Sequence, residues 1–204
     1  MAESVYDKAL DKIKNTKRGS LFFVENFAAI GGGIKSINKA LERLVLSGEL
    51  YRVAAGIYVR PKKDKFIGVV LPSVDEIANA IAKRDKARIV PTGSYALYKL
   101  GLTTQVPLNI VYYTDSSPRE IKVGNQKIAL KKASAKMLSA NGEVSKLAIQ
   151  ALRSIGKDKV QEDEIEKIKE LLKKETDYNL KNDRLVAPDW IRNLIFTKPE
   201  KPNE

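Results

Sequence analysis

The sequence contains no cysteine and no histidine, and both absences restrict its chemistry. Without cysteine the chain has no disulfide and no thiolate nucleophile. Without histidine it has no Ser-His-Asp triad and no histidine general base. A zinc site would have to use carboxylates alone, which structural and catalytic zinc sites rarely do. We therefore expect no metal site and no other cofactor.

Long apolar runs are also missing. No segment approaches the ~20 consecutive apolar residues that a membrane-spanning helix needs. The N-terminus, Met1-Ala2-Glu3-Ser4, lacks the basic start and the apolar centre of a secretory signal peptide. These features predict a cytoplasmic protein without a membrane partner.

The composition itself is that of a folded, basic protein. The chain has 204 residues, enough for one large domain or two small ones, and 43% of them are hydrophobic. The formal net charge of +12 favours a polyanionic partner such as DNA, RNA or an acidic protein surface. Lysines that serve only solubility are the alternative explanation of this charge, and we favour nucleic acid over it.

The first 65 residues predict an ordered series of short elements. A helix over Ser4–Lys14 precedes a short apolar run and a second helix, and three glycines, Gly31 to Gly33, then lead into a helix over Ile34–Ser47. Two β-prone runs, Leu50–Val53 and Ile57–Arg60, follow as a hairpin. This order is typical of a winged helix-turn-helix, in which the third helix enters the major groove of DNA.

The third predicted helix carries polar residues where such helices meet base edges. In its N-terminal half are Lys35, Ser36, Asn38 and Lys39. Asparagine can pair with adenine, and lysine can contact guanine O6 and N7. Phosphate contacts are expected from Arg43, Arg52, Arg60, Lys62 and Lys63. An amphipathic helix in any basic protein exposes lysines, and winged helices also bind proteins, but the basic hairpin favours DNA.

The rest of the chain predicts a second domain over residues 71–197. A hinge is expected at Pro61–Lys65, followed by helices and strands in alternation and by a hairpin across Gly124-Asn125 with a type II′ turn. The last third is helical, over Glu143–Ile155, Glu162–Lys174 and a closing helix after Pro188. The predicted class is α+β: a winged helix-turn-helix, a mixed α/β domain with C-terminal helices, and a flexible tail at 198–204.

Two motifs carry a resemblance to a known family. The pattern Leu50-x-Arg52-x-x-x-Gly56-Ile57-Tyr58-x-x-Pro61 resembles the wing of AbiEi-type antitoxins, and the stretch Thr92–Pro107 resembles the signature of their second domain. The continuation from Asn109 to Ile121 is similar to a bacterial branch of that group with no assigned function. The resemblance covers about residues 1–135 and is most specific in the second domain.

The resemblance implies a role. Antitoxins of this type, from type IV toxin-antitoxin and abortive-infection systems, repress their own promoter by binding inverted repeats. Their second domain neutralises a nucleotidyltransferase toxin, with or without a stable complex. The residues expected on a partner surface are Tyr95, Tyr98, Lys99, Thr104 and Gln105. The alternative is an interaction module that neutralises or scaffolds a partner without binding DNA.

An enzymatic function is the third possibility, and the sequence argues against it. Gly93-Ser94 before a β-prone run is similar to the start of nucleotidyltransferases, which need two acidic residues, spaced by one, on the next strand. The strand beginning at Leu108 has neither acid, and Asn109 is a poor substitute for a charged ligand. Asp115 is explained by turn formation. We expect no catalytic residues.

Overall fold

A computed structural model describes residues 3–196, and the chain is a mixed α+β protein, as predicted. It divides into two compact units. Within the described residues, one comprises 3–81 with 121–125, and the other comprises 82–120 with 126–196. The predicted tail at 198–204 lies outside the described residues.

The first unit follows the predicted order of elements. They are helix α1 (Val5–Lys14), strand β1 (Leu21–Phe23), a 3-10 helix (Val24–Ile30), helix α2 (Gly33–Leu46), and strands β2 (Tyr51–Ala54) and β3 (Ile57–Val59). The three strands form an antiparallel sheet in the order β1-β3-β2. The core beneath it contains the buried faces of both helices, with Ile13, Phe27, Leu41 and Leu44 fully buried.

The expected hinge at Pro61–Lys65 is wrong, because this segment belongs to a second hairpin. Strand β4 (Lys62–Asp64) pairs antiparallel with β5 (Gly68–Val70). The Asp64 carboxylate closes the turn by accepting backbone N–H bonds from Phe66 at 2.8 Å and Ile67 at 3.1 Å. This hairpin was not predicted from the sequence because its strands are short and exposed. They therefore lack the alternation of apolar and polar residues that identifies strands.

The remaining elements alternate before the chain becomes helical. They are α3 (Val74–Asp85), β6 (Ile89–Thr92), α4 (Ser94–Lys99), β7 (Asn109–Thr114), β8 (Arg119–Val123), β9 (Gln126–Lys132), a 3-10 helix (Ala135–Leu138), α5 (Glu143–Ile155), a 3-10 helix (Lys157–Lys159), α6 (Glu162–Leu172), α7 (Asp177–Val186) and α8 (Asp189–Ile195). Strands β6 to β9 form one sheet in the order β6-β7-β9-β8, with β7 antiparallel to β6 and parallel to β9.

Two helix caps and the predicted type II′ turn are formed by residues close together in the sequence. Ser4 Oγ accepts the backbone N–H of Asp7 at the start of α1. At α3, Ser73 and Glu76 form a reciprocal capping box, with N···O distances of 3.2 and 2.7 Å. In the β8–β9 turn Gly124 has φ +56° while Asn125 does not have a positive φ, which is the type II′ pattern. Local sequence fixed these features because each depends on residues at most three positions apart.

Helix α5 is the centre of the helical core, and its start is held by a buried carboxylate. Asp183, on α7, is fully buried and accepts the backbone N–H groups of Asn141 at 2.7 Å and Gly142 at 2.8 Å. It also accepts the hydroxyl of Ser145. A negative charge at a helix N-terminus satisfies donors that the helix itself leaves unpaired and interacts favourably with its dipole.

A second carboxylate reinforces the same helix start. Glu175 accepts the backbone N–H of Val144 at 2.5 Å and the side-chain amide of Asn179 at 3.2 Å. A Cβ added at Gly142 would lie 2.7 Å from Glu175 Oε1 and 2.4 Å from Ser145 Oγ, so only glycine leaves room for this arrangement. These contacts join α5 to the segment that begins α7.

Helix α7 itself was not predicted. It begins at the N-cap Thr176, whose side chain accepts the backbone N–H of Asn179. Asp183 is its one fully buried residue, and Leu180 packs partly buried against the helical core. The apolar periodicity that identifies helices in sequence is therefore weak in α7.

We predict that Asp183→Ala lowers the free energy of unfolding by about 3 kcal/mol or more, because three donors at the start of α5 lose their acceptor. Asp158→Ala is the control, because Asp158 is exposed and the same substitution there should cost less than about 0.5 kcal/mol. Urea denaturation measures both. Equal effects of the two substitutions would contradict a structural role for the buried carboxylate.

Candidate nucleic-acid interface

Helix α2 exposes all four residues that were predicted to meet base edges. Its buried face is formed by Ile37, Ala40, Leu41 and Leu44. The exposed residues are Lys35, Ser36, Asn38 and Lys39. The buried residues recur every three or four positions, so the polar residues between them must face solvent. The structure thus brings the predicted contact residues together on one surface of α2.

Arg43 extends this surface towards the end of the helix. Lys35, Lys39 and Arg43 are spaced by four residues and so form one basic stripe along α2. The Arg43 guanidinium lies over the ring of Tyr6, with 4.6 Å between its central carbon and the ring centroid. This cation–π contact orients the guanidinium while Arg43 itself remains exposed.

The glycine-rich connection sets the position of α2 against α1. Gly31, Gly32 and Gly33 all have positive φ. At Gly32 an added Cβ would lie 2.4 Å from Cγ2 of Val5, so the backbone here passes directly against α1. The close approach requires glycine for space as well as for conformation.

Among the predicted phosphate ligands of the hairpins, Arg52 and Lys62 are exposed. Arg52 lies on β2 and pairs in register with Tyr58 on β3. Lys62 lies on β4, and its side chain runs over Gly19, where an added Cβ would be 2.4 Å from Lys62 Cε. Its neighbour Lys63 is exposed on the same strand. These residues retain cationic groups that can contact a polyanion.

Arg60 has a different environment from the other predicted phosphate ligands. It is half-buried, and its Nη1 donates to the carbonyl of Lys14 at 2.8 Å and to the carbonyl of Thr16. These bonds satisfy carbonyls at the C-terminal end of α1, which the helix leaves without internal partners. Arg60 therefore anchors β3 to the end of α1.

The expected partner surface is only partly exposed. The expectation that Tyr95 lies on the surface is wrong. Tyr95 is 6% exposed and packs edge-on against Tyr112, with ring centroids 5.8 Å apart. Four other predicted members are exposed: Tyr98, Lys99, Thr104 and Gln105. The tyrosines of α4 are three residues apart, and the sequence could not show which of them faces the sheet.

Exposed apolar residues, which the sequence analysis did not single out, lie beside this surface. Val106, directly after Gln105, is 56% exposed, and Leu108, directly before β7, is 65% exposed. Leu108 is an apolar residue at the start of a β-prone run, so the sequence alone would assign it to the core. Their exposure adds an apolar component to the predicted partner surface.

The acidic residue that follows β7, Asp115, has a structural partner. Asp115 accepts the backbone N–H of Arg88 at 2.8 Å and its Nε at 3.0 Å. Those hydrogen bonds hold the pKa of Asp115 below its usual value. Within residues 3–196 no group of three or more acidic side chains is placed to hold a metal ion. In the same range no helix has the length and apolar character needed to cross a bilayer.

We predict that Gly32→Ala lowers the free energy of unfolding by about 2–3 kcal/mol, because the new methyl group meets Val5 and the left-handed backbone is strained. Gly48→Ala is the control. Gly48 follows the C-cap of α2 and also has a positive φ, +76°, but its added Cβ meets nothing within 4 Å, so only about 1 kcal/mol of strain is expected. Chemical denaturation compares the two, and equal losses would contradict the close approach of α1 and α2.

Comparison with known proteins assigns the chain to a family. A search of curated proteins gave no match. The model of a family of unknown function, DUF6088, matches residues 8–180, which is most of the chain and includes residues of both units. The protein is therefore a member of the DUF6088 family.

Proposed function

We propose that the first unit is a winged helix-turn-helix that binds double-stranded DNA, with α2 as the recognition helix. The observation that carries this proposal is the exposed stripe on α2, in which Lys35, Lys39 and Arg43 lie at four-residue spacing with Ser36 and Asn38 beside them. Side chains of these types can both contact phosphates and read base edges in the major groove.

The arrangement of the first unit supports this proposal. An α1-β1-helix-α2-β2-β3 order with the sheet order β1-β3-β2 is compatible with a helix-turn-helix and a hairpin wing. Arg52 on β2 would contact the backbone next to the groove that α2 occupies. Lys62 and Lys63 on β4 would add phosphate contacts from the second hairpin.

We further propose that this DNA is the protein's own promoter. This part rests on the resemblance to AbiEi-type antitoxins, whose winged helices bind inverted repeats, and it implies a cytoplasmic, non-catalytic regulator of a toxin-antitoxin or phage-defence system. The basic net charge supports a DNA partner because it favours association with any polyanion. Specificity would come from the polar residues of α2.

A second candidate function belongs to the second unit, which would bind a partner protein, such as a nucleotidyltransferase toxin. The exposed Val106 and Leu108 favour it, since apolar side chains next to polar ones are typical of interaction surfaces. Tyr98, Thr104 and Gln105 would complete this surface.

The DNA proposal is tested by a gel-shift and salt titration with the upstream region of the protein's own gene, against unrelated DNA of equal length. We expect Lys35→Ala with Lys39→Ala to weaken binding at least about tenfold. We also expect the slope of log affinity against log salt concentration to become shallower by up to about two, because each lost phosphate contact reduces that slope by about 0.9.

Lys157→Ala with Lys159→Ala is the matched control, because it removes the same charge from exposed lysines of the second unit. We expect it to leave affinity and slope nearly unchanged. Equal effects of the two double variants, or equal binding to both DNAs, would show that only net charge attracts DNA and would refute the assignment of α2.

The partner proposal predicts that Leu108→Ser abolishes neutralisation of a toxin encoded next to this gene, because it removes apolar contact area. Leu185→Ser is the control, since Leu185 is 72% exposed compared with 65% for Leu108. Growth of cells that express the toxin together with each variant is the measurement. Neutralisation by Leu108→Ser at the unsubstituted level would rule out this surface.

A further inference from the structure

The second unit contains a cavity of about 380 Å³ that the DNA-binding proposal does not use. Its walls come from the sheet, from the 3-10 helix Ala135–Leu138 and from the C-terminal half of α5. The residues that matter for its chemistry are Val111, Tyr113, Lys131, Met137, Gln150 and Arg153. Pockets of a few hundred cubic ångströms commonly hold small molecules.

Strand register brings the sheet residues of the cavity together. Tyr113 on β7 pairs directly with Lys131 on β9, and Val111 lies two residues before Tyr113 and so on the same face. The cavity therefore has an aromatic ring beside an ammonium group on the sheet side. Arg153 contributes a second cation from α5. None of the described residues that line the cavity is acidic, so these side chains include two cations and no carboxylate.

Two polar atoms in the cavity wall have unmet hydrogen-bonding capacity. Gln150 is only 2% exposed, and its amide nitrogen donates to the Met137 carbonyl at 3.3 Å. Its Oε1 is buried and has no hydrogen-bond partner among the described residues. The same is true of Nε of Arg153. Buried polar atoms without partners are rare and costly, so each needs an explanation.

We propose that this cavity binds a small organic phosphate, with a nucleoside phosphate as the chemical class that fits. Lys131 and Arg153 would bind the phosphate, since ammonium and guanidinium groups are the preferred partners of phosphate oxygens. Oε1 of Gln150 would accept an N–H group of the base. The ring of Tyr113 would pack against the base or sugar.

The phosphate and the nucleoside parts of the ligand each match a different feature of the cavity. Inorganic phosphate alone would occupy little of the volume and would leave Oε1 of Gln150 without a donor. An uncharged nucleoside would leave the two cations without a counter-charge. A nucleoside phosphate supplies an anion, a hydrogen-bond donor and a flat apolar surface together. The cavity binds this ligand without catalysing a reaction on it, and binding there is independent of the proposed DNA interface.

The test uses the full-length protein and isothermal titration calorimetry with nucleoside mono- and diphosphates, the matching nucleosides, and inorganic phosphate. We expect saturable binding of at least one nucleoside phosphate, at least about tenfold tighter than binding of its nucleoside or of inorganic phosphate. Absence of binding by all nucleoside phosphates at millimolar concentration would refute the site. Equal affinity for inorganic phosphate would refute the nucleoside assignment.

Variants localise the binding. Lys131→Met should weaken it about tenfold, whereas Lys132→Met should leave it unchanged, because adjacent residues on β9 point to opposite faces of the sheet. Both lysines are exposed, so neither substitution should shift the unfolding temperature of the ligand-free protein. Equal weakening by both variants would indicate attraction by net charge alone and would refute the cavity as the site.

Gln150→Met tests the unpaired oxygen separately. It should weaken binding while leaving the ligand-free protein about as stable as before, because the substitution removes a buried acceptor that no described residue satisfies and also one long hydrogen bond, of 3.3 Å, to the Met137 carbonyl, and these two changes have opposite effects on the free energy of unfolding. Unchanged affinity in this variant would refute the role of Gln150. The Lys35→Ala, Lys39→Ala double variant should bind the nucleoside phosphate normally, so failure of the DNA proposal and failure of this one remain distinguishable.

Discussion

The hydrogen bonds from the start of α5 to the buried Asp183 carboxylate are the constraint on which the second unit depends. A charge in a protein interior is tolerated only when its hydrogen-bonding capacity is met, and two backbone N–H groups and the Ser145 hydroxyl meet it here. They fix where α5 begins. The position of every later residue on that helix follows, including Leu152 in the core and Gln150 and Arg153 in the cavity.

The first unit has a comparable constraint in its backbone. Gly32 allows the chain to pass against Val5, and this contact sets the place of α2 relative to α1. Arg60 then anchors β3 to the carbonyls at the end of α1. Of the predicted phosphate ligands, Arg60 thus uses its guanidinium for hydrogen bonds within the protein, whereas Arg52 and Lys62 are exposed and can contact a phosphate. A basic residue in a basic protein can serve either purpose, and its partners decide which.

Charge is distributed differently in the two candidate sites. On α2 the cations are exposed and arranged in a line, which suits an extended polyanion whose phosphates repeat at regular intervals. In the cavity two cations converge with an aromatic ring and a buried amide, which suits a single small anion.

The sequence by itself determined the features that depend on near neighbours: the cap at Ser4, the capping box at Ser73, the amphipathic faces of α2 and α5, and the turn at Gly124. Only the tertiary structure decided which tyrosine of α4 is buried, that residues 62–70 form a hairpin, that α7 exists, and that Lys131 lies beside Tyr113. The physical reason is separation along the chain. Caps and periodicity act over three or four residues, whereas a buried carboxylate, strand register and a cavity wall join residues that lie tens of positions apart.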